Sequence, residues 1–311
     1  MLIEVLLIFG LALVLDLALG EPPNYIHPVF WMGKVISFLL RGSNRYSNRL
    51  QFVYGIAIFM LTTVIFTAAV FFLLWYLRAL NQIAYIVVAG IIFKTTFSLN
   101  GLRRTALKVK NLLMADKLTE ARFELRALVG RDTSRLGKPY LVSATVESVA
   151  ESSCDSFFAP LFYFIILGVP GAVVYRVINT LDSMIGHHGE YEYTGKFSAW
   201  VDTGVNYIPA RIAAIFIIFA GWFCRARAGR AWQIMRRDRK NTKSPNAGWT
   251  MSAVAGALDV QLEKVGYYKL GDANTPLVIQ TIDKSLKIVI TASLLWSVIL
   301  ILIEVAYYAA T

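Results

Sequence analysis

Three carboxylates recur at every fourth residue: Glu147, Glu151 and Asp155. Successive i,i+4 steps drift by only ~40° around a helix, so one face carries all three and one divalent cation could touch two of them. Like charges at that spacing are mildly destabilising unless something neutralises them. The alternative is a solvated helix face, which Val146, Val149, Ala150 and the apolar run from Phe157 argue against. These carboxylates belong to the most polar and patterned stretch of the chain, residues 130–211. There Asp132, Asp182 and Asp202 are interleaved with Arg131, Arg135, Lys138, Arg176 and Arg211. Acidic groups of this kind can hold a divalent cation, and the cations can hold phosphate or carboxylate. Carboxylates near membrane depth cost ~2.5–3.5 kcal/mol on insertion scales and are usually functional or paired. Arg176 and Arg211 are the pairing alternatives for Asp182 and Asp202. His187 and His188 could shuttle protons or bind metal, although a solvated loop position is the better reading. His27, beside Pro28, reads as a packed loop residue; Asp16 and Glu21 nearby keep it among the site candidates.

The elements that must position these residues are apolar. Of 311 residues, 57% are hydrophobic and 16% charged, against about 25% charged in a soluble domain. The net charge of +11 is concentrated at residues 34–49, 103–110 and 225–243. Basic runs beside apolar spans are cytoplasmic anchors rather than nucleic-acid patches. Cys154 and Cys224 have neither zinc nor disulfide-framework spacing and read as free thiols. Phosphate-cradling, H-E-x-x-H and G-x-S-x-G signatures are missing: Gly189 and Gly195-Lys196 miss the P-loop spacing by one residue, with Phe197 at the hydroxyl position. Residues 1–19 lack a basic leader region and carry Glu4 and Asp16, so they read as a retained helix.

Hydropathy predicts an all-α, polytopic integral membrane bundle. Four full crossings are expected at 1–19, 52–77, 83–99 and 288–308, the third interrupted by Lys94. Segments 157–174 and 207–223 are interrupted by Pro160, Gly168, Pro170 and Gly171 in one and by Pro209 and Arg211 in the other. They are expected to be broken or re-entrant helices buried in the bundle, bringing Asp182, Asp202 and Arg211 towards the carboxylate face. The chain reads as one membrane domain over 1–311. It carries a cytoplasmic helical insertion at 101–156, broken near Asp116 and closed by Gly130, and a basic cytoplasmic loop at 225–287. A short small-residue helix is expected at 251–258.

Several motifs in one order now carry a resemblance. Gly20-Glu21-Pro22, His27-Pro28-Val29 and Met32-Gly33 are followed by GRDTSRL, VESVAESSCD, APLFY, PGAVVYRVINTLDSMIG, NYIPAR, NAGWTMSAVAGAL and GYYKLGD. Together they resemble the CobD/CbiB family of cobalamin biosynthesis over most of the chain. The resemblance implies an adenosylcobinamide-phosphate synthase in the cell membrane, multi-pass, with its active site facing the cytoplasm. Such an enzyme joins a corrinoid, adenosylcobyric acid, to aminopropanol or its phosphate, and ATP and Mg2+ are implied. It makes Glu147, Glu151, Asp155 and Asp202 candidate metal ligands, with Glu151 or Asp182 as the base that deprotonates the attacking amine. Arg131, Asp132, Arg135, Arg176, Asn179, Asn206, Arg211 and His27 become candidates for phosphate and substrate groups. The sequence departs from the family pattern at Glu21, where aspartate is common, and at Asp202-Thr203, where two adjacent aspartates are common. It departs again at Ser152-Ser153-Cys154 within E-N-x-S-D and at His187-His188. A transporter or a membrane Mg-dependent phosphotransferase would also place charges among apolar spans. Neither the internal repeats of the first nor the D-G-x2-A-R signature of the second is present.

Overall fold

The computed structural model describes residues 2–126, 128–129, 132–186 and 189–310. Arg131, His187, His188 and the expected helix-closing Gly130 lie outside the described residues. The described residues form thirteen α-helices and one two-stranded antiparallel hairpin, an all-α polytopic membrane bundle. Helical runs at Asn48–Leu80, Gln82–Met114, Lys138–Ile185 and Thr281–Ala310 are long and apolar enough to cross a membrane. The chain divides into two compact units, Met1–Ser98 with Ala159–Asn206 and Glu304–Thr311, and Leu99–Phe158 with Tyr207–Ile303.

In the first unit, α1 (Leu2–Ala18) packs on α4 (Gln82–Lys94). Gly90 permits the approach, since a Cβ there would lie 2.7 Å from the Leu11 side chain. The 33 residues of α3 (Asn48–Leu80) rise about 50 Å, more than the ~30 Å hydrocarbon core requires. Asn81 turns α3 into α4 by accepting the Ala84 N–H at 2.9 Å. Glu4 ties this turn to α1, accepting from Arg78 and Gln82 at 3.0 Å each. Helix α4 stops at Lys94, five residues before the expected end of that span, because the Lys94 ammonium turns into a cluster of acids described below. Helix α2 (Pro28–Leu39) starts with proline at its first turn, where no N–H is missed.

Helix α8 (Ala159–Ile185) is broken as its sequence predicts: Gly168 takes φ 68, ψ −163, and Pro170 follows. Only glycine occupies that backbone region without strain. Helix α9 (Glu192–Val205) packs against α3 and α8. Glycines set both contacts, because a Cβ at Gly55 would strike the Thr194 carbonyl and one at Gly195 the Ile185 carbonyl.

In the second unit, α5 (Leu99–Met114) and α6 (Leu118–Leu125) are the two amphipathic helices expected on either side of Asp116, which turns the chain with φ 59. Helix α7 (Lys138–Ser153) runs into a π turn at Cys154–Phe158. Helix α10 (Tyr207–Phe223) corrects the expectation of a break at Pro209 and Arg211: it is continuous, because Pro209 falls in its first turn where no N–H partner is missed, and it reaches span length only as a bent pair with α9. Helices α11 (Ala228–Asp238) and α12 (Ala247–Leu258) pack closely. The small residues of α12 explain this, since a Cβ at Gly256 would meet the Arg230 carbonyl oxygen at 2.6 Å. The hairpin β1–β2 (Leu262–Lys264, Tyr268–Leu270) precedes α13 (Thr281–Ala310). In the core, the Phe158 ring stacks on Trp296 at 6.0 Å while Phe216 meets Trp296 edge-on.

Candidate active site

The acidic helix is less uniform than its spacing suggests. Glu147 is buried, Glu151 is exposed one turn later, and Asp155 is half-buried inside the π turn. The Glu147 carboxylate is gripped at both oxygens: Ser143 Oγ donates to Oε1 at 2.7 Å and Tyr268 Oη to Oε2 at 2.9 Å. Ser143 in turn accepts the Glu263 N–H at 2.8 Å. Glu147 therefore fastens hairpin β1–β2 to α7. Among the described residues, no three His, Cys, Asp or Glu side chains come together as a metal cage. Glu147, Glu151 and Asp155 belong to one compact unit and Asp202 to the other.

Loop residues 132–136 precede α7. Ser134 caps the Asp132 carboxylate through its N–H and its hydroxyl, both at 2.9 Å, and these bonds hold the Asp132 carboxyl below the usual range. Thr133 Oγ1 donates to the Arg122 carbonyl, and Arg122 Nε donates to that of Leu136, so the loop is tied to α6. Arg135 is exposed beside it.

The first unit gathers the other candidates. Asn206 ends α9, donating to Asp202 Oδ2 at 3.0 Å and accepting from Tyr175 Oη at 2.8 Å. Tyr175 stacks on Tyr163 with ring centroids 5.4 Å apart, and Tyr163 Oη bonds the Val205 carbonyl. Asp182 is half-buried on α8. Gly186 keeps the room around its carboxylate, which any Cβ there would overlap. Arg176 reaches Asn179 Oδ1 at 3.5 Å, the limit of a hydrogen bond.

His27 sits in a second polar cluster of that unit. Its Nδ1 accepts the Val29 N–H at 3.1 Å, capping α2, so Nε2 carries the hydrogen donated to Glu21 at 2.9 Å. Lys94, 4% exposed, lies 2.8 Å from Glu21 and 3.2 Å from the fully buried Asp16. Burial alone would raise the Glu21 carboxyl, but hydrogen bonds from His27, Lys94 and Ser98 outweigh it and hold it at about 2. Asp16 and Lys94 were legible only as charges interrupting apolar spans; their pairing was not.

Three arginines of the basic segment 225–243 are neutralised within their own unit. Arg227 and Arg230 bind Asp259 at 2.6 and 3.4 Å, and Arg230 also binds Asp272 at 2.5 Å. Arg237 binds both Asp238 and Asp272, which depresses the Asp272 carboxyl. Arg211 behaves differently: it stacks on Tyr207 and Trp249, its guanidinium carbon 3.3 and 4.6 Å from the ring centres. Trp249 and Tyr268 gave no chemical signal in the sequence, the first inside NAGW and the second on a three-residue strand.

Buried ion pairs on apolar spans, together with an acidic helix and arginine-rich polar clusters, define a helical membrane protein with polar groups set into an apolar frame. The match to relatives then settles the family. Residues 9–307 match the family described as CobD/Cbib protein, and the chain belongs to it. It is 52% identical over 306 residues to "Cobalamin biosynthesis protein CobD" of Dehalococcoides mccartyi, covering 98% of this chain and 99% of that one. It is 39% identical to "Probable cobalamin biosynthesis protein CobD" of Thermoplasma volcanium over 94% of each chain. With "Cobalamin biosynthesis protein CbiB" of Salmonella choleraesuis it shares 36% identity over 93% of this chain and 94% of that one. No solved structure matches it. Its role lies in cobalamin biosynthesis.

Proposed function

We propose that the protein is an adenosylcobinamide-phosphate synthase of the cell membrane. It would join adenosylcobyric acid to aminopropanol or aminopropanol phosphate by ATP-dependent amide formation, working from the cytoplasmic side. The observation that carries this reading is the family match across residues 9–307, which includes every polar motif described above. A carboxylate is a poor acyl donor at neutral pH. Phosphoryl transfer from ATP to a propionate oxygen, releasing ADP, makes it one; attack by the neutral amine then forms the amide and expels phosphate.

The protein's share of this chemistry is positioning, charge neutralisation and one proton transfer. Glu151, exposed on α7, and Asp182, half-buried on α8, are the groups to which the amine proton can pass. With its oxygens engaged by Ser143 and Tyr268, Glu147 supports the local architecture instead. Glu151 on α7 and Asp155 in the π turn would hold Mg2+, which would supply charge neutralisation on the nucleotide phosphates. Arg135, Arg176 and Arg211 are the candidates for neutralising the anionic groups.

The test is product formation by purified, detergent-solubilised protein given adenosylcobyric acid and either amine, with and without ATP. A corrinoid heavier by the aminopropanol or aminopropanol phosphate residue, formed only with ATP, is expected. Product without ATP, or none with either amine, rejects the proposal.

A further inference from the structure

The basic segment is neutralised only in part. Arg227, Arg230 and Arg237 each find an aspartate. Arg239, two residues further on, finds none among the described residues, and neither does Arg211. Both turn instead to one aromatic ring: their guanidinium carbons lie 4.3 and 4.6 Å from the centre of Trp249. The two cations are therefore no more than about 9 Å apart. Two like charges so close, half-buried and without a carboxylate, repel one another unless an anion joins them.

Stacking also fixes their hydrogen-bonding edges. A guanidinium lying on a ring has its plane set, and its N–H fork is preorganised for an oxygen-rich partner. Arg211 Nη1 uses the Tyr207 carbonyl and Asn246 Oδ1, the latter at 3.3 Å. Arg239 Nε is buried and has no hydrogen-bond partner among the described residues. Asn246, which begins α12, gives its side chain to Arg211 and not to capping the helix, and the first turn of α12 carries no acidic residue. Gly248 holds the assembly tight, because a Cβ there would overlap the Arg239 carbonyl.

We propose that Arg211 and Arg239, braced on Trp249 at the start of α12, form a binding site for a phosphate dianion. Two preorganised forks match the charge and the three terminal oxygens of a phosphate monoester better than the single plane and charge of a carboxylate. The site deepens the reaction proposed above and rests on it only for the reason a phosphoryl group is present. Its source is a nucleotide, a phosphorylated amine or a lipid headgroup, which share this chemistry.

The experiment is calorimetric titration of the full-length protein in detergent with inorganic phosphate, ATP, 1-amino-2-propanol phosphate and acetate. A parallel measurement uses nanodiscs with and without phosphatidylglycerol. Arg211→Ala and Arg239→Ala should each weaken phosphate binding by about tenfold or more, while Lys117→Ala, an exposed charge loss elsewhere in the unit, should not. The probe whose affinity falls in parallel names the source. If either alanine variant fails to fold, Arg211→Lys and Arg239→Lys, which keep the charge but lose the planar fork, should still bind phosphate more weakly. Unchanged phosphate affinity in the folded variants, acetate bound as tightly as phosphate, or no phosphate probe bound by the wild type would each overturn the proposal. No corrinoid is used, so this result stands apart from that of the synthase assay.

Discussion

Glu147 and Glu151 look alike in sequence, and the structure gives them different work. A glutamine at 147 keeps the size but offers only one acceptor oxygen to the two hydroxyls of Ser143 and Tyr268, so one buried donor loses its partner. Glu147→Gln should cost about 1–3 kcal/mol, seen as a lower melting temperature and faster proteolysis at the 265–267 turn. Glu151→Gln, on an exposed position, should leave melting unchanged and sharply reduce turnover at ordinary Mg2+. Wild-type turnover in Glu151→Gln would remove it from the site, and unchanged melting in Glu147→Gln would remove its anchoring role. Glu21 makes a second residue-level prediction. Its folded value of about 2 lies below the ordinary 4.5, so its contribution to stability is complete above pH 4.5. That contribution is lost as pH falls from there towards 2, where the carboxylate must be protonated in the folded state as well. A Glu21→Gln variant should show a flatter loss of stability across that interval, measured by denaturation at stepped pH. An identical pH profile in wild type and variant would show that the cluster with His27 and Lys94 does not stabilise the fold through this charge.

Helices with a strong period or a strong breaker were legible before any coordinates. The α5–α6 break at Asp116 follows from charge placed between two leucine-bearing faces, and the α8 break from Gly168 and Pro170 within one apolar run. The π turn at Cys154–Phe158 was not legible, because i,i+4 spacing looks the same until one extra residue is fitted into a turn. It places Asp155 outside the regular helix that holds Glu147 and Glu151. Strands of three residues carry too little alternation to be read, which hid the hairpin and with it the partner of Glu147. The basic segment was misleading in another way: residue counting shows its arginines, but not that aspartates 259 and 272 fold back onto them. The α8 break supplies the test at this scale. Gly168 has φ 68 and ψ −163, so Gly168→Ala should cost about 1–3 kcal/mol in backbone strain. Pro170→Ala, which restores an N–H without requiring a new backbone angle, should cost less. Thermal unfolding in detergent checks the order; equal effects would mean that the break is set by packing rather than by the glycine.

The membrane topology of the whole chain turns on parity. The basic clusters at 103–110 and 225–243 are both expected on the cytoplasmic side, because lysines and arginines near span ends set orientation. The aspartate partners of Arg227, Arg230 and Arg237 do not weaken that assignment, since acidic residues contribute little to the bias. Between the two clusters the chain must then cross the membrane an even number of times. Among the described residues, two stretches there are apolar enough, α8 with the turn before it and the bent pair of α9 and α10. Either both cross, leaving residues 186–191 outside, or neither does. Both stretches are broken, α8 at Gly168 and the other at Asn206, and both bury polar side chains such as Tyr175 and Asn206 within their own unit. Lipid-exposed backbone cannot be broken in this way, whereas backbone buried in protein can. Two re-entrant segments are therefore expected, with Asp182 and Asp202 reached from the side where ATP is found. A cysteine placed at Lys243 should react with an impermeant maleimide only after cells are permeabilised, which fixes the reference side. A cysteine at Glu190 should then behave identically. Labelling of Glu190→Cys in intact cells, with Lys243→Cys still protected, would show that both stretches cross and that Asp182 and Asp202 are approached from outside.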